Sequence, residues 1–162
     1  MARRFAENAG FGKRIEFWII AEMIRHGLDV YVPLVDDKGI DAVVRKHNGG
    51  YVEVQVKARS ENAKPGTEAL VTVRSHELRE NYWFVFYSEP LNIKWIMTSK
   101  EFLSESRQTS SGKWKGLRWI DLNAKRKAKH FQRYIATDYR KIDEQRLQTP
   151  VDDIEPSAGG LG

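Results

Sequence analysis

The 162-residue sequence contains no cysteine. That excludes a disulfide framework and any metal site built on thiolates. Histidine is scarce: His26, His47, His76 and His130 lie far apart, fall in separate expected elements and show no ligand-like spacing, so none is assigned a role. Long apolar runs are missing too, and the longest, at 17–21, is far too short to span a bilayer. No apolar h-region follows the arginines of "MARRFAENAGFGKR", so no secretory signal is expected. The expected setting is cytoplasmic, without a membrane partner.

What is present suits one folded unit. At 41% hydrophobic and 30% charged, the chain has enough apolar material for a single domain with a real core, expected over 1–148. The stretch 149–162, "TPVDDIEPSAGGLG" at its fullest, is expected to be a flexible tail. Net charge is +5, and its distribution says more than its size. Between Lys113 and Arg133, cations alternate with Trp114, Trp119 and Phe131 against the single acid Asp121. Such a block suits a polyanion, although a solvated helix face is the plain alternative.

Periodicity and punctuation predict the elements. A helix is expected over 8–26, closed by Gly27. Strands follow over 28–34, 40–46 and 51–59, the last two joined by "HNGG", a hairpin signal. A strand at 70–74, a brief helix at 75–80 and strands at 82–89 and 93–99 come next. Ser99 is expected to cap a short helix. A strand at 117–122 and a basic closing helix over 123–148 complete an α/β or α+β sheet with helices on its faces.

Residues 51–57 read Tyr-Val-Glu-Val-Gln-Val-Lys, with valines on one face and Glu53, Gln55 and Lys57 on the other. One wet sheet face is the ordinary reason. Asp41 is less ordinary, because Asp is depleted in strands and needs a partner there. Lys57 on the facing strand could supply one. On the first helix, Glu16 falls beside Ile19, Ile20 and Met23, on a surface apolar nearly all round and therefore expected to pack on more than one side. A carboxylate there is costly unless paired, with Lys13 or Arg14 for instance, or bound to a cation.

Taken in chain order, "GKRIE" on a helix, "GIDAVV" on a strand and "VEVQVKAR" on the next resemble the PD-(D/E)XK nuclease superfamily. The pattern is most similar to its members with Gln in the third strand, among them Mrr-like restriction nucleases and small homing and restriction-type endonucleases. The resemblance covers 8–60 and, more loosely, 82–103. It implies a restriction-endonuclease-like α/β core, with a mixed central β-sheet flanked by helices. It also implies a homodimeric DNA endonuclease that uses Mg²⁺ or Mn²⁺.

By this resemblance Asp41 binds the metal with the Gln55 side-chain oxygen and the Val56 carbonyl, while Glu16 completes the shell directly or through water. Lys57 stands beside the attacking water and the scissile phosphate. Gln55 replaces an acid that many members carry, which makes the site less anionic; Glu53 could restore that charge or face solvent. Phosphate contacts are expected from Lys13, Arg14, Arg59 and Lys64, and above all from Lys113, Lys115, Arg118, Arg126 and Lys129. The tryptophans are expected in the core. The same resemblance admits an inactive DNA-binding descendant, or a nuclease of branched DNA or RNA.

Overall fold

Helix α1 (Ala2–Arg25) ends as its sequence predicts, with Gly27 at φ +82 in the left-handed conformation that closes helices. The computed structural model describes residues 2–35, 38–123 and 128–143. Over 10–25 of α1 one face is buried, through Ile19, Ile20 and Met23, while Phe17, Trp18 and Ile24 are exposed. The expectation of packing on more than one side is therefore corrected: the second apolar stripe faces outward.

Strands β1 (Asp29–Tyr31), β2 (Ala42–Arg45) and β3 (Tyr51–Arg59) form an antiparallel meander. The "HNGG" turn closes β2 onto β3, with the Lys46 N–H donating to the Gly50 carbonyl at 2.7 Å. After β4 (Leu70–Arg74) the chain returns as β5 (Tyr82–Ser88), which lies parallel to β3, and β6 (Ile93–Thr98) pairs antiparallel with β5. The central sheet therefore has the order β1-β2-β3-β5-β6 and is mixed. Helix α2 (Ser99–Glu105) follows, then β7 (Arg107–Gln108) and β8 (Leu117–Asp121). With β4 these two make a separate three-stranded antiparallel sheet, β4-β8-β7. The expected α/β class with a mixed central sheet is what the chain forms. One flank is helix α1; the other is the small sheet together with α2.

Two cores lie on opposite faces of the central sheet. Val52, Val54 and Val56 of β3 pack with Ile19, Ile20 and Met23 of α1. On the other face Tyr82, Phe84 and Phe86 meet Val71, Val73, Phe102 and Ile120.

Three expected elements differ. Residues 75–80 are not helical: Ser75 takes φ +49, and the segment is anchored by the Arg79 N–H donating to Ser99 Oγ at 3.0 Å. Six residues have little helical tendency alone, so these tertiary anchors decide. The cap of α2 is Thr98 rather than Ser99, with a reciprocal capping box to Glu101. Within 128–143 the expected closing helix is a short α3 (Ala128–Phe131) followed by 3₁₀ turns at Gln132–Tyr134 and Arg140–Ile142, while 124–127 and 144–148 lie outside the described residues. An Asp138 side chain that accepts from the Arg140 N–H at 3.0 Å turns the chain there. Residues 149–162 lie outside the described residues.

Candidate active site

The site begins where β2 ends. The Asp41 N–H donates to the Val54 carbonyl at 2.9 Å, and its carboxylate accepts from the Val56 N–H at 2.7 Å. The carboxylate thus takes the N–H that a longer β2 would have paired, which explains an Asp beside a strand. Asp41 is only 7% exposed. A strand residue points its N–H and C=O to the same side, so the Val56 carbonyl also faces the edge on which Asp41 lies.

Gln55 and Lys57 stand on the other pleat of β3, opposite the valines and in register with Phe84 and Phe86 of β5. This face is not a wet one. The small sheet covers it, Gln55 is 8% exposed, and both residues line a cleft of about 1030 Å³ between the two sheets. Lys57 has no hydrogen-bond or ion-pair partner among the described residues. Glu53, the third polar residue of the strand, is ion-paired with Arg79. The Arg79 guanidinium lies 4.2 Å from the centre of the Tyr82 ring, and Tyr82 Oη donates to the Gly39 carbonyl at 2.5 Å. This chain of contacts ends on the Gln55 amide, since a Cβ at Gly39 (φ +67) would collide with it.

Glu16 and Asp41 line a second, smaller cavity of about 380 Å³, together with Lys13, Phe17, Leu34 and Ile40. Glu16 accepts an ion pair from Lys13 at 2.6 Å. The four central residues are therefore brought to one region but onto two cavities, with Lys38 and Gly39 on the wall of one and Ile40 and Asp41 on the wall of the other. Among the described residues no group of three or more His, Asp or Glu side chains is placed to hold a metal. What the region offers is two carboxylates, one amide and one carbonyl. Hard oxygen donors of this kind are the type that Mg²⁺ or Mn²⁺ takes while retaining several waters.

The expected phosphate contacts are scattered. Lys13 and Arg14 are exposed on α1. Arg59 donates to the Thr67 carbonyl (3.1 Å) and hydroxyl (2.8 Å), bracing the loop that carries exposed Lys64. Lys113 and Lys115 are exposed on the turn before β8, whereas Arg118 is half-buried and donates to Ser106 Oγ at 3.3 Å. Lys129 is exposed, and Arg126 lies outside the described residues.

Several residues were not legible in advance. Gly39 had a signal, as a glycine immediately before the strand that carries the acid. Arg74, Arg79 and His76, which line the large cleft, had none. Trp114 lines it too and is 53% exposed, which corrects the expectation that the tryptophans are core. His76 packs against Tyr82, Phe84 and Phe102 and shares a 2.8 Å hydrogen bond with Ser99 Oγ. Burial, with the nearby charges of Arg79 and Arg118, pushes its imidazolium down to about 4.

No protein-family model and no curated protein matches the sequence. Among solved structures, the bacterial homing endonuclease I-Ssp6803I is similar to this chain at 25% identity and a TM-score of 0.47. The overlap covers 57% of this chain and 66% of that one, a little under two thirds of the endonuclease. A likeness of that extent carries no weight on chemistry, which rests on the residues above.

Proposed function

We propose that this protein is a metal-dependent DNA endonuclease of the PD-(D/E)XK type. The observation that carries the proposal is the β2–β3 junction, where a buried Asp41 is tied to the Val56 N–H and Gln55 and Lys57 project from the same strand into a cleft. Asp41, the Gln55 side-chain oxygen, the Val56 carbonyl and Glu16 would hold Mg²⁺ or Mn²⁺. A bound divalent ion would lower the pKa of a water and offset the charge of the departing oxygen. Lys57, without an ion-pair partner among the described residues, neutralises the scissile phosphate and orients the attacking water. Arg79 keeps Glu53 out of the metal set by pairing with it. Cutting both strands of a duplex calls for two copies of the site, hence a homodimer.

A second reading has an observation of its own. Glu16 is paired with Lys13, which suits a module that kept the fold and binds DNA without cutting it. One experiment decides between the two: incubation of supercoiled plasmid and branched oligonucleotides with Mg²⁺, Mn²⁺ or EDTA. Metal-dependent cutting is expected, falling by about 100-fold or more in Asp41→Ala and in Lys57→Ala. Binding measured in Ca²⁺ should survive Asp41→Ala and weaken in Lys57→Ala, which removes one phosphate contact. Tight binding without any cutting by the wild type would establish the binding module, and cutting indifferent to both substitutions would remove this site.

A further inference from the structure

The large cleft holds more than the proposed reaction needs. Its far wall is the small sheet and the segment leading out of it, and Trp114, on the 3₁₀ turn Gly112–Trp114, lines it as well. This turn is well built. The Thr109 N–H donates to the Leu117 carbonyl and the Gly116 N–H to the Thr109 carbonyl, each at 2.9 Å. The Lys115 N–H closes onto the Gly112 carbonyl at 3.1 Å, while Gly112 (φ +71) and Gly116 (φ +84) supply the left-handed corners. The turn thus fixes the backbone at Trp114, a residue about half exposed (53%). Lys113 Nζ lies 5.4 Å from the ring centre. Among the described residues the cleft walls carry Lys38, Lys57, Arg74 and Arg79, the last of them paired with Glu53, against one acid, Glu77.

A half-exposed aromatic ring beside a cationic groove is the combination that binds unpaired nucleotides: the cations, Lys113 over the ring among them, follow the backbone and the ring takes a base of any sequence. Size agrees. The volume is near the upper end of cavities that enclose a small-molecule ligand (about 300–1,000 Å³), enough for one to a few nucleotides.

We infer that the cleft between the sheets receives an unpaired nucleotide of the DNA substrate, with its base stacked on Trp114 and its flanking phosphates on Lys57 and Arg74. The inference rests on the nuclease reading for what Lys57 then does to the phosphate. It makes the substrate a strand that is gapped, frayed or turned out of its stack, and it makes Trp114 a binding residue.

The test uses the full chain in Ca²⁺ and two DNA probes of one sequence carrying 2-aminopurine, whose emission is quenched on stacking. In one probe the analogue is paired; in the other it faces a single-nucleotide gap. The gapped probe is expected to bind at least about tenfold more tightly than the paired one, with its emission quenched. Trp114→Ala should weaken gapped binding by about 5- to 150-fold and leave paired binding unchanged. Trp114→Phe should stay within a few-fold of wild type, which separates stacking from misfolding. Equal binding of the two probes by wild type, or a Trp114→Ala protein that binds the gapped probe normally, overturns the inference. Cutting of paired DNA that needs Asp41 but not Trp114 would remove this inference and keep the nuclease. Trp114-dependent binding without cutting would do the reverse.

Discussion

Gly39 shows how one residue can govern the candidate site without touching a substrate. Its φ of +67 is open to glycine and costs another residue about 1–2 kcal/mol. A Cβ there would also strike the Gln55 amide, the mobile end of a flexible side chain, so that amide would turn away. Gly39→Ala should therefore leave the protein folded, with a small drop in its urea midpoint, while metal-dependent cleavage falls by about 10- to 100-fold, as for other groups that orient a ligand. A variant with lower stability but full cleavage would show that the position of Gln55 does not matter. The sequence marks Gly39 by its place before Asp41. It does not reveal the Glu53–Arg79–Tyr82 contacts that pin the glycine from the other side, because Arg79 and Tyr82 are distant in the chain from Glu53 and Gly39 and meet them only in the folded sheet.

At the scale of elements, the link from β4 to β5 has the clearest pH signature. Residues 75–80 are held by His76, inserted among aromatic rings and bonded to Ser99. The folded imidazolium sits at about 4 against an ordinary 6.5, so between these values the unfolded chain binds more protons than the folded one. Stability from the neutral, half-buried ring is complete above about 6.5 and is lost as pH falls toward about 4. Urea midpoints recorded across that window should fall for the wild type and fall less for His76→Gln, which keeps a hydrogen-bonding group but does not titrate there. Parallel slopes for the two proteins would place the titrating group elsewhere. The same link explains the misplaced cap. Thr98 and Ser99 are equally good N-cap residues by type, and the choice falls to Thr98 because Ser99, fully buried, gives its hydroxyl to His76 and the Arg79 N–H.

On the scale of the whole molecule, the end of the described chain closes back on its beginning. Tyr139 is buried against the α1 core and donates to Glu22 at 2.8 Å, and Lys94 of β6 reaches the same carboxylate at 2.5 Å. Burial alone would raise the Glu22 carboxyl, but the hydrogen bonds from Lys94 and Tyr139, with the charges of Lys94 and Arg25, hold it below its ordinary value. Tyr139→Phe should cost about 1 kcal/mol, the worth of one hydrogen bond, whereas Tyr139→Ala should cost about 3–5 kcal/mol through the cavity it leaves. Equilibrium urea unfolding of the two variants checks both figures; a neutral Tyr139→Ala would mean that residues 128–143 add nothing to the fold. No described helix is long and apolar enough to cross a membrane.

Local chemistry determined a great deal here. Alternating valines placed β3 to the residue, "HNGG" placed its hairpin, Gly27 ended α1, and the order of Glu16, Asp41, Gln55 and Lys57 nominated a site. Each of these signals acts over a few neighbouring residues, so each can be read from the chain alone. Only the tertiary structure decided which faces were covered. It laid the small sheet over the polar side of β3, drew Glu53 to Arg79 and divided the nominated residues between two cavities. It also left Trp114 bare while burying Trp95. Those outcomes depend on contacts between β3, β4, β5 and β8, whose pairing across long stretches of chain no local pattern encodes.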